Sequence, residues 1–186
     1  MIFQEATLRG AFVVELEPKE DERGFFARVW CQKEFGARGL NPRVVQTSLS
    51  YNRQRGTIRG LHYQMAPYEE AKLVNCIRGA IYDVIVDLRV GSLTYLQWVG
   101  VVLSAENRKM LYVPEGLAHG FQTLEDDTEV FYQVTQFYTP AAERGVRWDD
   151  PAFGIRWPAV ESRVISPRDL SWPPFAPARA RTAPPV

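Results

Sequence analysis

Short runs of apolar and β-branched residues recur along the chain, and polar or Gly/Pro breaks separate them. The runs are rich in Val, Ile, Tyr, Phe and Thr, which is the composition typical of strands. Many short strands at close spacing predict an all-β fold, a sandwich or jelly roll rather than a sheet alternating with helices. The predicted strands are residues 11–16, 43–50, 57–64, 72–78, 80–89, 95–103, 109–113, 119–124 and 129–137.

The remaining pattern predicts little else within one domain. A single short helix is expected at residues 30–38, ending at Gly39. Arg78 and Gly79, between two strand-like runs, predict a tight hairpin. Residues 1–173 are long enough to bury a core of their own. The Pro-, Ala- and Arg-rich residues 174–186 are expected to form a poorly ordered tail or an extended arm.

The charge balance argues against a sequence-independent nucleic-acid binder. The chain has 22 Lys and Arg and 22 Asp and Glu, a formal net charge of zero, whereas such binders need surplus cations to displace phosphate counterions. A local cationic pocket for one small anionic ligand is compatible with this balance. Cys31 and Cys76 show no pairing signature, and neither a long apolar span nor a secretory signal is apparent. We therefore expect a reduced cytoplasmic protein with no membrane partner.

The chain contains only two histidines, His62 and His119. Histidine is the side chain best suited to proton transfer near neutral pH, although many histidines are structural. A metal site in a small β-barrel usually needs three or four ligands, which two isolated histidines do not supply. The sequence thus predicts no metal and leaves both a structural and a proton-transfer role open for each histidine.

Other polar side chains have two interpretations each. Strand alternation puts Tyr132 and Tyr138 on one face, where Tyr132 either joins an aromatic core stripe or delivers a proton. Lys72 begins a strand and is either solvated or a partner for Asp83 and Asp87. Those two carboxylates share one face of an apolar strand and need partners if they are buried.

Residues 166–169 (SPRD) resemble a helix start. A serine N-cap, a first-turn proline and an acidic residue three positions later are close to a capping box, worth about 1 kcal/mol locally. On this basis the helix cap alone can explain Asp169, without any catalytic role.

Eight short blocks follow one another in order along residues 1–173. They are residues 21–26 (DERGFF), 59–64 (RGLHYQ), 71–74 (AKLV), 81–89 (IYDVIVDLR), 113–121 (VPEGLAHGF), 130–132 (VFY), 143–151 (ERGVRWDDP) and 166–169 (SPRD). This series resembles the dTDP-4-dehydrorhamnose 3,5-epimerase family and is more specific than any single motif. The resemblance implies a cupin-type double-stranded β-helix (jelly roll) with a few short peripheral helices. It also implies a homodimer that uses no metal or organic cofactor.

The resemblance implies a role for individual residues. His62 matches the family's base and Tyr132 its acid, while Asp169 would hold and polarise His62. Lys72 would stabilise an enolate. The matching substrate-binding positions are Arg23, Phe26, Gln46, Ser48, Arg59, His119, Tyr138, Glu143 and Arg168.

The expected reaction inverts C3, C5 or both in a nucleotide-diphosphate-linked 4-keto-6-deoxyhexose. Both carbons lie next to the C4 carbonyl, so loss of either proton gives an enolate that positive charge stabilises. Arg59 and His62 would point to opposite faces of a regular strand. Both reach one pocket only if Gly60 forms a bulge or the strand twists there.

Two departures from the family pattern widen the choice of nucleotide. Arg28 stands where the family commonly has glutamate, and residues 46–50 (QTSLS) lack a common Asp-Asn pair. CDP- and GDP-linked sugars therefore stay open beside dTDP-linked ones. A 3,4-ketoisomerase on the same scaffold and a non-catalytic or metal-binding sugar cupin are the alternative functions.

Overall fold

The computed structural model describes residues 1–176, most of which belong to short strands or the turns between them. In chain order the elements are β1 (Ile2–Glu5), β2 (Phe12–Glu15), β3 (Lys19–Asp21), β4 (Gly24–Phe26), α1 (Gln32–Gly36), β5 (Gln46–Asn52), β6 (Thr57–Gln64), β7 (Lys72–Arg78), β8 (Ala80–Asp87), β9 (Trp98–Ser104), β10 (Met110–Val113), β11 (Leu117–Thr123), β12 (Thr128–Val134), β13 (Glu143–Gly145), β14 (Val164–Ile165) and α2 (Pro167–Leu170).

The long strands form two sheets. The first sheet has the order β1-β2-β10-β7-β12-β5 and the second has the order β13-β6-β11-β8-β9. Neighbours within each order are antiparallel, and β14 adds to β6 in parallel. β3 and β4 form a separate hairpin. From β5 to β8 and again from β9 to β13, strands that follow one another along the chain alternate between the sheets. The predicted all-β jelly roll with short helices is confirmed.

The main core lies between the two sheets, because each sheet turns an apolar face inward. Val74 and Val130 of the first sheet pack there with Ile81 and Ile85 of the second sheet. A second cluster, centred on Phe35 of α1, covers the outer face of the first sheet. A third cluster covers the outer face of the second sheet. β8 is consequently buried on both faces, and its inward face also carries Asp83 and Asp87.

The predicted hairpin at Arg78 and Gly79 is wrong. β7 and β8 lie in different sheets, and Gly79 alone carries the chain from one to the other. Gly79 has φ +71°, and a Cβ there would lie 2.4 Å from Oγ1 of Thr128, so both conformation and space require glycine. Local sequence marks the turn, but more distant strands decide the pairing.

Other boundaries differ modestly from expectation. β6 and β7 match the predicted runs, whereas β5 begins three residues later than predicted and α1 is shorter than the predicted helix. The short strands β1, β3, β4, β13 and β14 were not predicted. Within residues 1–176 no helix is long and apolar enough to cross a membrane. Residues 177–186 of the predicted tail lie outside the described residues, so the boundary at 173 stays a prediction.

Candidate active site

One cleft runs between the sheets at the end where α2 lies. A cavity of about 480 Å³ is lined by both sheets and by α2. It adjoins a second compartment of about 460 Å³, and four side chains border both: His62, Lys72, Tyr132 and Arg168. We call the two compartments together the cleft.

A bulge in β6 brings two predicted site residues to the same cavity. His62 pairs with His119 of β11, but the next paired position joins Arg59 to Phe121, so β6 carries one extra residue there. Gly60 lies in that interval with φ +111°, and a Cβ would come within 2.7 Å of the Cα of Gly120. Arg59 and His62 therefore both line the cavity, as the predicted bulge requires.

His62 and Asp169 form a hydrogen-bonded pair across 107 positions of sequence. Nε2 of His62 lies 2.6 Å from Oδ1 of Asp169. Burial acts to raise the pKa of Asp169, but its hydrogen bonds with His62, Gly60 and Ser166 prevail and lower it. An ionised Asp169 favours the tautomer in which Nε2 carries the proton and donates it. Nδ1 is then left to accept a proton from a ligand.

Asp169 also belongs to a helix cap, as the sequence predicted. Its backbone N–H donates to Oγ of Ser166 at 3.0 Å, and Pro167 occupies the first turn. The capping box is incomplete because the carboxylate turns to His62 instead of back to the N-cap. Asp169 thus takes part both in the local cap and in the distant pair with His62.

Tyr132 and Lys72 come from the first sheet and face the cleft. Tyr132 lies on β12 opposite Val74 of β7, and it also packs on the edge of the main core. Nζ of Lys72 lies 2.9 Å from Oε1 of Glu70, and both side chains are nearly buried. Glu70, which the sequence analysis did not single out, is thus the partner of Lys72. Its one available signal is its place two residues before the lysine.

The expected pairing of Lys72 with Asp83 or Asp87 is wrong. Oδ1 of Asp83 lies 2.7 Å from Nε2 of His119, which lines the cavity. Asp87 instead accepts hydrogen bonds from Arg89, Ser92 and Thr94. The alternation correctly places both carboxylates inside, but it could not say which side chain would meet them.

A polar group lines the second compartment. Glu143 accepts hydrogen bonds from Tyr138 and Arg168. The contact of Arg168 with Tyr138 and then its contact with Glu143 raise the pKa of Arg168, so its guanidinium stays cationic. Gln46 accepts a hydrogen bond from the Tyr138 backbone at 2.6 Å, and Ser48 lies on the same wall. In the first compartment Arg59 donates to Oδ1 of Asn52 at 2.7 Å.

Arg23 and Phe26 lie apart from these residues. They sit on the β3–β4 hairpin, outside the lining of the cleft, and Phe26 is 70% exposed. Arg23 pairs with Asp21 on the same hairpin. Eleven of the thirteen predicted site residues therefore converge on the cleft in one chain, and these two do not.

The part of the chain that the structure describes has no cluster of three or more His, Cys, Asp or Glu side chains suited to a metal ion. The cleft contains side chains that can transfer protons and bind anions. It has a histidine paired with a carboxylate on one wall, a tyrosine and a lysine on the other, and arginines at its edge.

Comparison with known proteins identifies the family to which this chain belongs. A family model described as dTDP-4-dehydrorhamnose 3,5-epimerase matches residues 5–177. The chain belongs to the dTDP-4-dehydrorhamnose 3,5-epimerase family. The predicted family and enzyme class, an isomerase acting on a sugar nucleotide, are thereby confirmed.

Individual members of the epimerase family agree with this in sequence and structure. The epimerase of Methanothermobacter thermautotrophicus is 45% identical over 175 residues, which cover 93% of this chain and 94% of the relative. The crystal structure from Elizabethkingia anophelis superposes with a TM-score of 0.91 at 37% identity, covering 94% and 96% of the two chains. The Bacillus anthracis structure, with TDP and PPi bound, gives 0.89 at 41% identity, covering 94% and 99%.

Proposed function

We propose that the protein inverts C3 and C5 of dTDP-4-dehydro-6-deoxyglucose, giving dTDP-4-dehydrorhamnose. The observation that carries the proposal is the placement of His62 and Tyr132. His62 belongs to the second sheet and Tyr132 to the first, and both line the same cavity. A sugar ring between the sheets would meet a base on one face and an acid on the other, as inversion requires.

Proton abstraction falls to His62. Asp169 orients the imidazole and stabilises the imidazolium that forms when Nδ1 takes the C3 or C5 proton. The electron pair of the broken C–H bond moves into the ring to form an enolate with its charge on O4. Tyr132 then delivers a proton to the opposite face of the same carbon, which inverts it.

Lys72 is the group that stabilises the enolate. Its ammonium is nearly buried and held by Glu70, so it needs little reorganisation when charge develops on O4. His119 lies on the same cavity wall as His62, and Asp83 accepts from its Nε2–H, which leaves Nδ1 to accept a hydrogen bond from a substrate hydroxyl.

The arginines and the second compartment suit the nucleotide diphosphate. Arg59 and Arg168 offer permanently charged, forked donors for phosphate oxygens. Tyr138 presents an aromatic ring, 52% exposed, on which a base can stack. The Bacillus anthracis relative with TDP bound supports a dTDP-linked substrate.

A second copy of the chain is proposed to complete the site. Arg23 and Phe26 are exposed on the β3–β4 hairpin, away from the cleft of their own chain. β5 is a sheet edge with Leu49 and Tyr51 exposed, which suits a face covered by a partner. We place this homodimer in the cytoplasm, where Cys31 and Cys76 would stay reduced.

Proton NMR in D₂O tests the function directly. The protein is given dTDP-, CDP- and GDP-4-keto-6-deoxyglucose in parallel, with His62→Ala as the control. Deuterium entering C3 and C5 of the dTDP sugar, and absent in the control, is the expected result. Exchange at one carbon alone would reduce the activity to a single-centre epimerase, and no exchange with any nucleotide would overturn the proposal.

Subunit mixing tests the dimer. His62→Ala and Arg23→Ala proteins are each expected to be nearly inactive. A mixed dimer would contain one site with an intact His62 and the partner's intact Arg23, so activity should return on mixing. If Arg23→Ala is fully active alone, or mixing restores nothing, the hairpin does not act across the interface.

A further inference from the structure

The helix that carries Asp169 is too short to be stable without contacts to the rest of the fold. α2 has only four residues, far fewer than a helix needs for stability of its own in water. Its cap at Ser166 fixes its first turn, and Arg147 donates to the carbonyl oxygen of Leu170 at 2.8 Å. The side chains that follow α2 must supply the rest of the anchoring.

Trp172, directly after α2, packs onto the strand beside His62. Gly145 of β13 is the residue paired with His62 in the sheet, and the indole covers it. A Cβ on Gly145 would lie 2.2 Å from Cε2 of Trp172, so glycine is needed there for space. The indole also meets the His62 ring edge to face, with centroids 6.4 Å apart and planes at 66°.

We propose that Trp172 is a positioning residue for His62. The indole flanks the imidazole, so the ring keeps the orientation in which Nε2 meets Asp169. This inference rests on the proposed function, since it assigns His62 the role of base. It adds an aromatic support to the base, distinct from the carboxylate that polarises it.

The contact acts through the shape of the ring and not through the indole N–H. Nε1 of Trp172 is buried and finds no hydrogen-bond partner among residues 1–176. A phenyl ring would preserve the edge-to-face contact and lose no hydrogen bond. Trp172→Phe is therefore the conservative variant that should retain function, and Trp172→Ala is the disruptive one.

Phe175 provides a matched control. Its ring packs on Phe153 with centroids 5.0 Å apart, and its backbone N–H donates to Asp150 at 2.7 Å. Phe175 thus anchors the same segment without bordering His62. If Trp172 merely tied down the segment, Phe175→Ala would reproduce the effect of Trp172→Ala.

The first measurement needs no substrate. In ¹⁵N-histidine-labelled protein, each of the two histidines should give a slowly exchanging Nε2–H resonance from its bond to a carboxylate, and His62→Gln assigns them. Trp172→Ala should lose or broaden the His62 resonance and keep that of His119, whose pairing with Asp83 reports an intact fold. Trp172→Phe and Phe175→Ala should keep both. A His62 resonance unchanged in Trp172→Ala would overturn the inference.

Kinetics give the second measurement. Misplacing a base by about 1 Å can cost about 100-fold in rate, so kcat of Trp172→Ala should fall about 10- to 100-fold with little change in KM. Trp172→Phe should stay close to wild type. An equal loss in Phe175→Ala would reduce Trp172 to an anchor and overturn the proposal.

Misfolding of a variant and failure of the proposed function can each be distinguished from failure of this inference. If Trp172→Ala does not fold, Gly145→Ala replaces it, because the added Cβ displaces the indole without removing it. If the wild-type protein shows no exchange on any 4-keto sugar, the proposed function fails. The resonance of His62 still decides whether Trp172 positions it.

Discussion

The same chemical pair, a histidine bonded to an aspartate, occurs twice in this molecule and is built in two different ways. His119 and Asp83 lie on adjacent strands of the second sheet, 36 positions apart, and the aspartate is fully buried. His62 takes its aspartate from α2, 107 positions away, and stays 30% exposed toward the cleft. One pair belongs to the sheet, and the other is assembled at its rim.

The two pairs differ in what fixes their geometry and in whether the imidazole is accessible to a ligand. The pair within the sheet is fixed by backbone hydrogen bonds on both sides, so its geometry follows from strand register alone. The rim pair depends on a short helix and its packing, but its imidazole can reach a ligand. Chemistry needs that access, and the added dependence on tertiary anchors comes with it.

The largest expected contrast is in turnover. His62→Gln removes the base that we propose and should lower kcat about 10²- to 10⁴-fold. His119→Gln should remove only one substrate hydrogen bond, worth about 0.5–1.5 kcal/mol, and act mainly on KM. Steady-state kinetics on a dTDP-4-keto sugar measures both. Equal losses of kcat would contradict the division between a reacting and a binding histidine.

Stability should show the opposite contrast. Asp83→Ala leaves the buried Nε2–H of His119 without its acceptor and should cost about 3 kcal/mol in the free energy of unfolding. Asp169→Ala should cost about 1–3 kcal/mol, because His62 can turn to water in the cleft. Urea denaturation gives both values. Asp83→Asn, which keeps a hydrogen-bond acceptor, should recover part of the loss, and a larger loss for Asp169→Ala would reverse the comparison.

Acid should weaken the rim pair in a defined window. The folded state lowers the pKa of Asp169, so its contribution to stability is complete above the unfolded value of about 3.9 and disappears as pH falls through the lower native value. The difference in unfolding free energy between wild type and Asp169→Asn should therefore shrink as the pH falls below about 4. A difference that grew in acid would mean that the native pKa is raised.

The smallest effect is expected at the cap of α2. Ser166→Ala removes the bond from the Asp169 N–H and should destabilise the helix by about 1 kcal/mol, and Ser166→Asp should restore it. Hydrogen exchange at the Asp169 amide measures the opening. Exchange near His119 should stay unchanged, and a change there would mean that the two pairs are coupled.

Much of the fold could be predicted, because the local sequence indicates where strands begin and end. The bounds of β6 and β7 follow from their polar and glycine-rich flanks, and Gly60 marked the bulge that turns Arg59 and His62 to one side. The alternation also placed Asp83 and Asp87 inside. A carboxylate on an apolar face is visible in sequence, since the face depends on position alone.

What stayed hidden is the identity of neighbours from distant parts of the chain. The partner of Asp83 depends on β11 lying beside β8, and the partner of Lys72 depends on the loop that carries Glu70. Gly79 shows the same limit, since a hairpin and a crossover share one local pattern. Trp172 gave no signal at all, because its contact with Gly145 joins segments with no common periodicity.

The single-residue passage at Gly79 also sets the phase between the walls of the cleft. Lys72 and Asp83 stand on β7 and β8, and only Gly79 separates the two strands. The inward side chains have even numbers on β7 and odd numbers on β8, so the corner, with the register shift beside Arg78, displaces the alternation by one residue. One inserted residue would exchange the inward and outward positions of one strand, unless a bulge absorbed it. The side chains of that wall would then face away from the cleft. The spacing of this corner therefore helps to set which side chains line the cleft, although it lies about 20 Å along the strand from Lys72.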